Sequence, residues 1–365
     1  MLVTVKTSDF ARPLAVAAQL ARSSTMPILS TVLLKAAGEK LWIEATDLEV
    51  SLSWGIPAEV EDAGTAALPA RALNDLVRRL SAEAVRLFGP PEEVEVGYGS
   101  GALKLRGLPP EQFPVFPELP GEAPAVILAR QAVEEVLDRL SFAVGEQPPF
   151  CGVLFEAQDG ASTWVATDSH RLACSAGPEL GFTLQALLPL KALEAAAASR
   201  ADRLEFVFAP QAVQVRAEDL AVHARLINVR FPAWRAVLPK RFEATLAADA
   251  KALAATLERA LLVARQAQKE AANLVRLDFG PDGLVVKARG EQGSFAERVE
   301  IVLEGAPGTV HFNGAYLLDA LRPVGGRAVL SFGPEFNTLV VRAEGDPSYS
   351  CLVLPVIVNG SEAGA

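Results

Sequence analysis

The chain has 365 residues, 50% of them hydrophobic and 21% charged, with a formal net charge of −10. That length and balance fit two or three globular domains and exclude a disordered chain. An acidic total also excludes a surface that is basic throughout, so any contact with a phosphate backbone must come from charge segregated to one region.

The N-terminus lacks a basic segment followed by a long apolar run, so no signal peptide is expected. Ser8 to Arg22 reads as a capped amphipathic helix with Phe10, Leu14, Ala17 and Ala21 on one stripe. Met26-Pro27-Ile28-Leu29 follows, then two expected strands, Thr31 to Lys35 and Lys40 to Ala45. Leu68-Pro69-Ala70-Arg71-Ala72-Leu73 opens a second helix with Leu73, Leu76 and Leu80 at helical spacing. The proline-rich stretch from Leu108 to Pro117 reads as an extended, semi-rigid connection.

The same order then returns. A helix is expected over Ala129 to Ser141, with Val133, Val136, Leu137 and Leu140 on its stripe. Strands Gly152 to Glu156 and Ser162 to Ala166 come next, followed by a helix opening at Leu188-Pro189-Leu190-Lys191-Ala192-Leu193. A second Phe-Pro connection runs from Phe231 to Pro239. The third copy has a helix from Asp249 to Glu270 with Leu253, Leu257, Leu261 and Leu262. It continues with strands Leu274 to Phe279 and Gly283 to Ala288, then a helix opening at Phe312-Asn313-Gly314-Ala315-Tyr316-Leu317. The period is about 120 residues, which makes this a tandem repeat of helix, strands, helix, strands. Three α+β domains are expected, at 1–118, 119–240 and 241–365, the last with a short polar tail.

Cys151, Cys174 and Cys351 show no framework spacing and no Cys-x-x-Cys pair, so reduced thiols are expected and neither disulfides nor a zinc site. No Gly-x-Ser-x-Gly elbow, Walker loop or dinucleotide fingerprint is present. Asp168, Ser169 and His170 are adjacent, whereas the members of a catalytic triad converge from distant segments. A hydrolase is therefore disfavoured, and a β-rich repeat scaffold unrelated to DNA is the other rival reading.

Two longer motifs carry a resemblance. Val165-Ala166-Thr167-Asp168-Ser169-His170-Arg171-Leu172-Ala173 closely resembles the beta-clamp signature Ala-Thr-Asp-Gly-His-Arg-Leu-Ala. Arg230-Phe231-Pro232-Ala233-Trp234-Arg235-Ala236-Val237-Leu238-Pro239-Lys240 resembles that family's Arg-Phe-Pro-Asp-Tyr-Arg-Arg-Val-Leu-Pro-Lys. Met26-Pro27-Ile28-Leu29 and Ala45-Thr46-Asp47-Leu48-Glu49 resemble its Leu-Pro-Ile-Leu and Gly-Thr-Asp-Leu-Glu. With the threefold repeat, the chain resembles the bacterial DNA polymerase III beta subunits, or beta sliding clamps, over essentially its whole length.

The resemblance implies three tandem copies of the DNA-clamp fold, each with two helices packed on antiparallel sheet. It implies a head-to-tail dimeric ring around double-stranded DNA, held without reading sequence, and no catalysis. Its implied partners are a second copy, the DNA polymerase III alpha subunit, the clamp loader and other proteins with a clamp-binding motif. No cofactor, metal or membrane is implied, and the location is cytoplasmic. The implied dimer contacts are Leu103 and Leu105 against Leu262 and Val263. The implied client pocket comprises Phe150, Thr167, Ser169, His170, Arg171, Leu172, Pro232, Ala236, Val237, Thr338, Leu352, Leu354, Pro355 and Val356.

Such a ring needs positive charge only on its bore. The helix windows 8–22, 69–80, 129–141, 189–200, 249–270 and 313–322 hold 14 Lys or Arg against 10 Asp or Glu, so the excess acid lies elsewhere. The expected DNA-facing residues are Arg22, Arg71, Arg78, Arg79, Lys191, Arg200, Arg265 and Lys269, with Arg230 implied by its motif. They would meet phosphates and read no sequence. Three departures from the family pattern stand out: Ser169 replaces a Gly, Ala236 replaces a frequent Arg, and the chain runs on past Leu354-Pro355-Val356 into a small polar tail.

Overall fold

The computed structural model describes residues 1–22, 25–117, 119, 123–265, 273–291 and 293–358. Six α-helices are present among them: α1 (Thr7–Leu20), α2 (Ala70–Val77), α3 (Arg130–Leu140), α4 (Leu190–Ala197), α5 (Ala250–Ala264) and α6 (Gly314–Leu321). Each of the three expected repeats supplies two. Proline at 69 and 189 presets the backbone at the entry to α2 and α4. At α5 and α6 the entry is capped instead. Asp249 accepts a hydrogen bond from the Ala252 amide at 2.8 Å, and Asn313 accepts one from Ala315 at 3.0 Å.

Two apolar stripes differ from expectation. On α2 the buried residues are Ala70, Leu73 and Val77, because the helix stops there and leaves Leu76 and Leu80 half-buried. On α5, Leu253, Leu257 and Leu261 are buried but Leu262 is 67% exposed. One residue advances a helix by about 100°, which turns Leu262 away from the core.

The chain forms two compact units, one of Met1–Glu135 with Leu188–Asn228, the other of Val136–Leu187 with Val229–Ala365. The first unit holds a five-stranded sheet in the order Glu59–Asp62, Leu2–Lys6, Ala84–Phe88, Glu93–Tyr98, Gly101–Arg106. Its eight-stranded sheet runs Ala125–Ala129, Arg203–Ala209, Ala212–Arg216, Leu220–Arg225, Val50–Pro57, Lys40–Thr46, Thr31–Ala37, Gly64–Pro69. The second unit holds a nine-stranded sheet. Its order is Leu184–Pro189, Gly152–Gln158, Ala161–Thr167, Arg171–Ala176, Asp346–Val353, Leu339–Ala343, Arg327–Phe332, Ala244–Asp249, Val302–Gly305. A four-stranded sheet, Gly293–Val299, Gly283–Gly290, Leu274–Gly280, Gly308–Asn313, completes it.

The middle repeat is thus divided between the units. Its strand Leu220–Arg225 pairs antiparallel with Val50–Pro57 of the first repeat. Its strand Arg171–Ala176 pairs antiparallel with Asp346–Val353 of the third. Each pairing satisfies backbone groups that an edge strand would leave open.

The proline-rich connections are tied down rather than free. Phe113 is buried against Ile28, Leu29, Leu33 and Ala67, and the Leu108 amide donates to the Ala67 carbonyl at 2.9 Å. In the second connection Phe231 and Trp234 are buried, and Trp234 Nε1 donates to Glu156 at 3.1 Å.

One tight turn recurs between repeats. The Thr46 hydroxyl donates to the Val50 carbonyl at 3.0 Å, while Asp47 accepts from the amides of Glu49 and Val50. The Thr167 hydroxyl donates to the Arg171 carbonyl at 2.7 Å, while Asp168 accepts from His170 and Arg171. The middle residue is left-handed in both, with φ 74° at Leu48 and 75° at Ser169. An L-residue there is disfavoured by about 1–2 kcal/mol, which explains a Gly in the related motif. Ser169→Gly is therefore expected to stabilise the second unit by about 0.5–1 kcal/mol after glycine's unfolded-state entropy is counted. A urea titration reads this, and a loss of stability would contradict it.

Candidate functional site

The second unit contains all the expected pocket residues, and its strand pairing sets three of them, Thr167, Leu172 and Leu352, on one face. Residues paired directly across an antiparallel sheet point to the same side. Thr167 pairs with Leu172, Leu172 with Leu352, and Leu352 with Val340. These four side chains form a row on one face, and all four are buried. Cys174 pairs with Val165 and with Ser350 and lies on that same face one step along. Burial pushes the Cys174 thiol up to about 12, so it stays protonated and unreactive.

On the other face of the same sheet, toward which the residue before Leu172 points, Arg171 organises the turn. Its guanidinium holds Asp168 at 2.9 Å and Asp319 at 2.7 Å and donates to the Phe142 carbonyl. It lies 4.3 Å from the centre of the Tyr316 ring and 5.1 Å from that of Phe142. The His170 ring also stacks on Tyr316, with centroids 6.0 Å apart. The Arg171 side chain is only 10% exposed. Through these contacts Arg171 ties the turn, α6 and the segment after α3 into one piece.

The chain end joins this piece. The Leu354 amide donates to the His170 carbonyl at 2.9 Å, and the Val356 amide to His311 at 2.8 Å. Leu354, Pro355 and Val356 therefore lie beside the turn, with Leu354 and Val356 exposed. Phe150 closes the turn Gly145–Phe150, where a Cβ on Gly145 would fall 2.8 Å from Phe150 Cβ and 3.5 Å from Asp168 Cα. Only glycine permits that approach. Thr338 precedes Leu339, which pairs with Val353. Pro232, Ala236 and Val237 are exposed, and their neighbours Trp234 and Arg235 both bond Glu156 of the same sheet.

The sequence reading missed Tyr316, Asp319, Phe142 and Val340. Tyr316 had a readable signal: it stands where the first two helix openings carry Ala72 and Ala192. Asp319 and Phe142 had none, because they meet Arg171 only through tertiary folding.

The first unit offers the register-equivalent row, and it is polar. Thr46 pairs with Ser51, Ser51 with His223, and His223 with Gln214. His223 Nδ1 has no hydrogen-bond partner among the described residues. Burial, then Arg225, hold the His223 imidazole below its usual value, so it is neutral at pH 7. In place of the His170–Tyr316–Arg171 stack, Lys191 bonds Asp47 and Glu49, the latter at 2.7 Å. The two junctions share a backbone but only one has an apolar face.

The expected DNA-facing cations fall into two groups. Arg22, Arg71 and Arg78 line a cleft between α1 and α2. Arg230 and Arg265 are exposed. Arg79 bonds Asp75 of its own helix, Lys191 its two carboxylates, and Arg200 Asp9 at 2.8 Å. Lys269 lies outside the described residues. Of the expected dimer contacts, Leu103 is half-buried and Leu105 buried on the edge strand Gly101–Arg106. Leu262 and the half-buried Val263 lie on α5.

Residues 1–117 match the N-terminal domain of the DNA polymerase III beta subunit, 127–233 its central domain and 235–357 its C-terminal domain. A "Beta sliding clamp" of Halalkalibacterium halodurans is 28% identical over 330 residues, 84% of this chain and 86% of that one. One from Staphylococcus aureus is 25% identical over 353 residues, 91% of this chain and 93% of that one. The beta subunit of Thermotoga maritima superposes with a TM-score of 0.88 at 19% identity, over 98% of this chain and 100% of that one. The Pseudomonas aeruginosa sliding clamp bound to griselimycin superposes with a TM-score of 0.86 at 25% identity, again over 98% and 100%. Matches to all three domains, together spanning nearly its whole length, make this chain a member of the DNA polymerase III beta subunit family: a sliding clamp and processivity factor of DNA replication with no catalytic activity of its own.

Proposed function

We propose that two copies of this chain close head to tail around duplex DNA and hold client proteins at the apolar row of the second unit. The observation that carries the client site is the row Thr167, Leu172, Leu352, Val340, continued past Leu352 by the exposed Leu354 and Val356. An apolar surface with a few fixed polar handles suits a short hydrophobic peptide. The site comprises Phe150, Thr167, Ser169, His170, Arg171, Leu172, Pro232, Ala236, Val237, Thr338, Leu352, Leu354, Pro355 and Val356, and we add Tyr316 and Val340. Clients would include the DNA polymerase III alpha subunit, the clamp loader and other proteins with the same motif. Ala236, in place of an Arg, removes one cation from the rim and favours an uncharged peptide flank.

The domains that repeat are 1–118, 119–240 and 241–365. The strand Gly101–Arg106 is an edge of one sheet and Gly293–Val299 an edge of another, and each offers unpaired backbone groups to a second copy. Leu103 and Leu105 would face Leu262 and Val263, a heterologous contact that closes after two copies. Phosphates of the encircled duplex would meet Arg22, Arg71, Arg78, Arg79, Arg230, Arg265 and Lys269. Lys191 and Arg200 face the same way in the repeat, but their carboxylate partners largely cancel their charge. The location is the cytoplasm.

Leu354 is 38% exposed, so Leu354→Glu is expected to leave the fold intact and weaken a hydrophobic client peptide at least tenfold. Fluorescence anisotropy with a labelled peptide checks this, and unchanged affinity would count against the site. Leu262→Asp is expected to turn the dimer into folded monomers in sedimentation. The unaltered chain, loaded on a nicked circular plasmid, should be retained and then lost when the plasmid is cut. Equal retention on both forms would defeat the ring reading.

A further inference from the structure

One hairpin turn of the second unit is held in a conformation that its residues disfavour. The strands Arg327–Phe332 and Leu339–Ala343 pair with Phe332 opposite Leu339, and residues 333–338 join them. The Gly333 amide donates to the Thr338 carbonyl at 2.9 Å. The Phe336 amide donates to the Gly333 carbonyl and the Asn337 amide to the Pro334 carbonyl, each at 3.0 Å. Glu335 and Phe336 are both left-handed, with φ 53° and 54°. A Cβ makes that region unfavourable, and neither residue is the Gly or Asn that tolerates it. Two such residues in succession persist only where the surrounding contacts over-determine them.

Those contacts converge on the Phe336 ring. It meets Phe279 edge-on with centroids 5.7 Å apart and Phe332 edge-on at 5.9 Å, while Phe279 and Phe332 stack on each other at 4.7 Å. Phe279 and Phe332 are buried. The Phe336 ring also lies on bare backbone at Gly308, where a Cβ would fall 2.9 Å from Phe336 Cζ and 2.8 Å from Phe279 Cζ. Gly308 opens the strand Gly308–Asn313, and the same strand receives the Val356 amide at the His311 carbonyl. One strand thus holds both the turn before Thr338 and the segment from Leu354 to Val356. Across the turn, a Cβ on Gly333 would fall 2.3 Å from the Thr338 hydroxyl and 3.4 Å from Pro239 Cβ. Thr338 and the second proline-rich connection therefore close on the same glycine.

We infer that Phe336 is a positioning residue for the client site: its ring, seated against Gly308, Phe279 and Phe332, holds the left-handed turn and so sets Thr338 in relation to Leu354 and Val356. This rests on the client-site reading given above. Without that seat, Glu335 and Phe336 return to the right-handed or extended backbone that side chains favour, and Thr338 moves with the turn. A groove whose two walls are fixed before a peptide arrives spares the peptide the cost of ordering them. The affinity lost with the ring is then lost through Thr338, although the ring itself packs into the protein.

The test uses the full-length chain and a fluorescent peptide carrying the clamp-binding motif of the DNA polymerase III alpha subunit, with binding read by anisotropy. Phe336→Ala should weaken the peptide about tenfold, as a loss of preorganisation does. Gly308→Ala displaces the ring by its Cβ while leaving residue 336 intact, and it should weaken the peptide in the same direction. Leu257→Ala leaves a cavity at a buried position of α5 and also lowers stability, yet its affinity should stay within about twofold of the unaltered chain. A double-mutant cycle carries the assignment: once Thr338→Ala is in place, Phe336→Ala should cost less than about twofold more. Losses that simply multiply, or no loss in Phe336→Ala, would overturn the positioning role. An equal loss in Leu257→Ala would overturn it too, by reducing it to general destabilisation. Thermal melting checks that each variant is folded, and Phe336→Leu serves if Phe336→Ala is not. Leu354→Glu is measured in parallel. Unchanged affinity there defeats the client site itself, whereas a loss there with none in Phe336→Ala and Gly308→Ala defeats only the role of Phe336.

Discussion

The antiparallel pairing that continues each sheet from one repeat into the next governs the rest of this structure. A repeat of this kind has strands at its margin whose amides and carbonyls need partners. Leu220–Arg225 finds them on Val50–Pro57, and Arg171–Ala176 finds them on Asp346–Val353. These pairings are why the middle repeat is shared between two compact units, although the sequence marks three copies. They also fix register, and register decides which side chains face the same way.

The client site proposed at the second junction follows from that register. Leu172, Leu352 and Val340 share a face only because the strands pair with Arg171 opposite Val353. The same register at the first junction puts Ser51, His223 and Gln214 in line. A buried polar row offers a hydrophobic peptide little apolar contact, and apolar groups cannot satisfy His223 Nδ1. Arg171 and its two carboxylates then lock the turn, α6 and the chain end together, while Lys191 with Asp47 and Glu49 makes a simpler ionic tie. One backbone plan thus yields one apolar site and one closed joint.

Charge follows a similar logic. The chain is acidic overall, and many of its cations are held by neighbouring carboxylates. Others are not so held: Arg22 and Arg78 lie at the α1/α2 cleft, and Arg230 and Arg265 are exposed elsewhere. A modest excess of basic residues over six helix windows conceals this, because a window total does not register which guanidiniums are already paired.

The amino-acid sequence by itself determined the repeat, the six helices and the turn chemistry. Those are local properties: apolar spacing, proline or Asn at helix entries, and Thr-Asp at the recurring turns. The two motifs around Asp168 and Trp234 also pointed to one end of the proposed site. The partners of Arg171 were decided only by tertiary structure, since Asp319 and Phe142 lie far from it along the chain and carry no motif. So was the outward turn of Leu262, and the anchoring of connections that proline content presented only as extended and semi-rigid. Phe113 and Trp234 hold those connections through contacts with distant strands, which composition cannot express. The division of cations into paired and free is likewise a matter of distances in space. Short-range chemistry is written along the chain, whereas pairing, burial and charge compensation depend on which segments the sheets bring together.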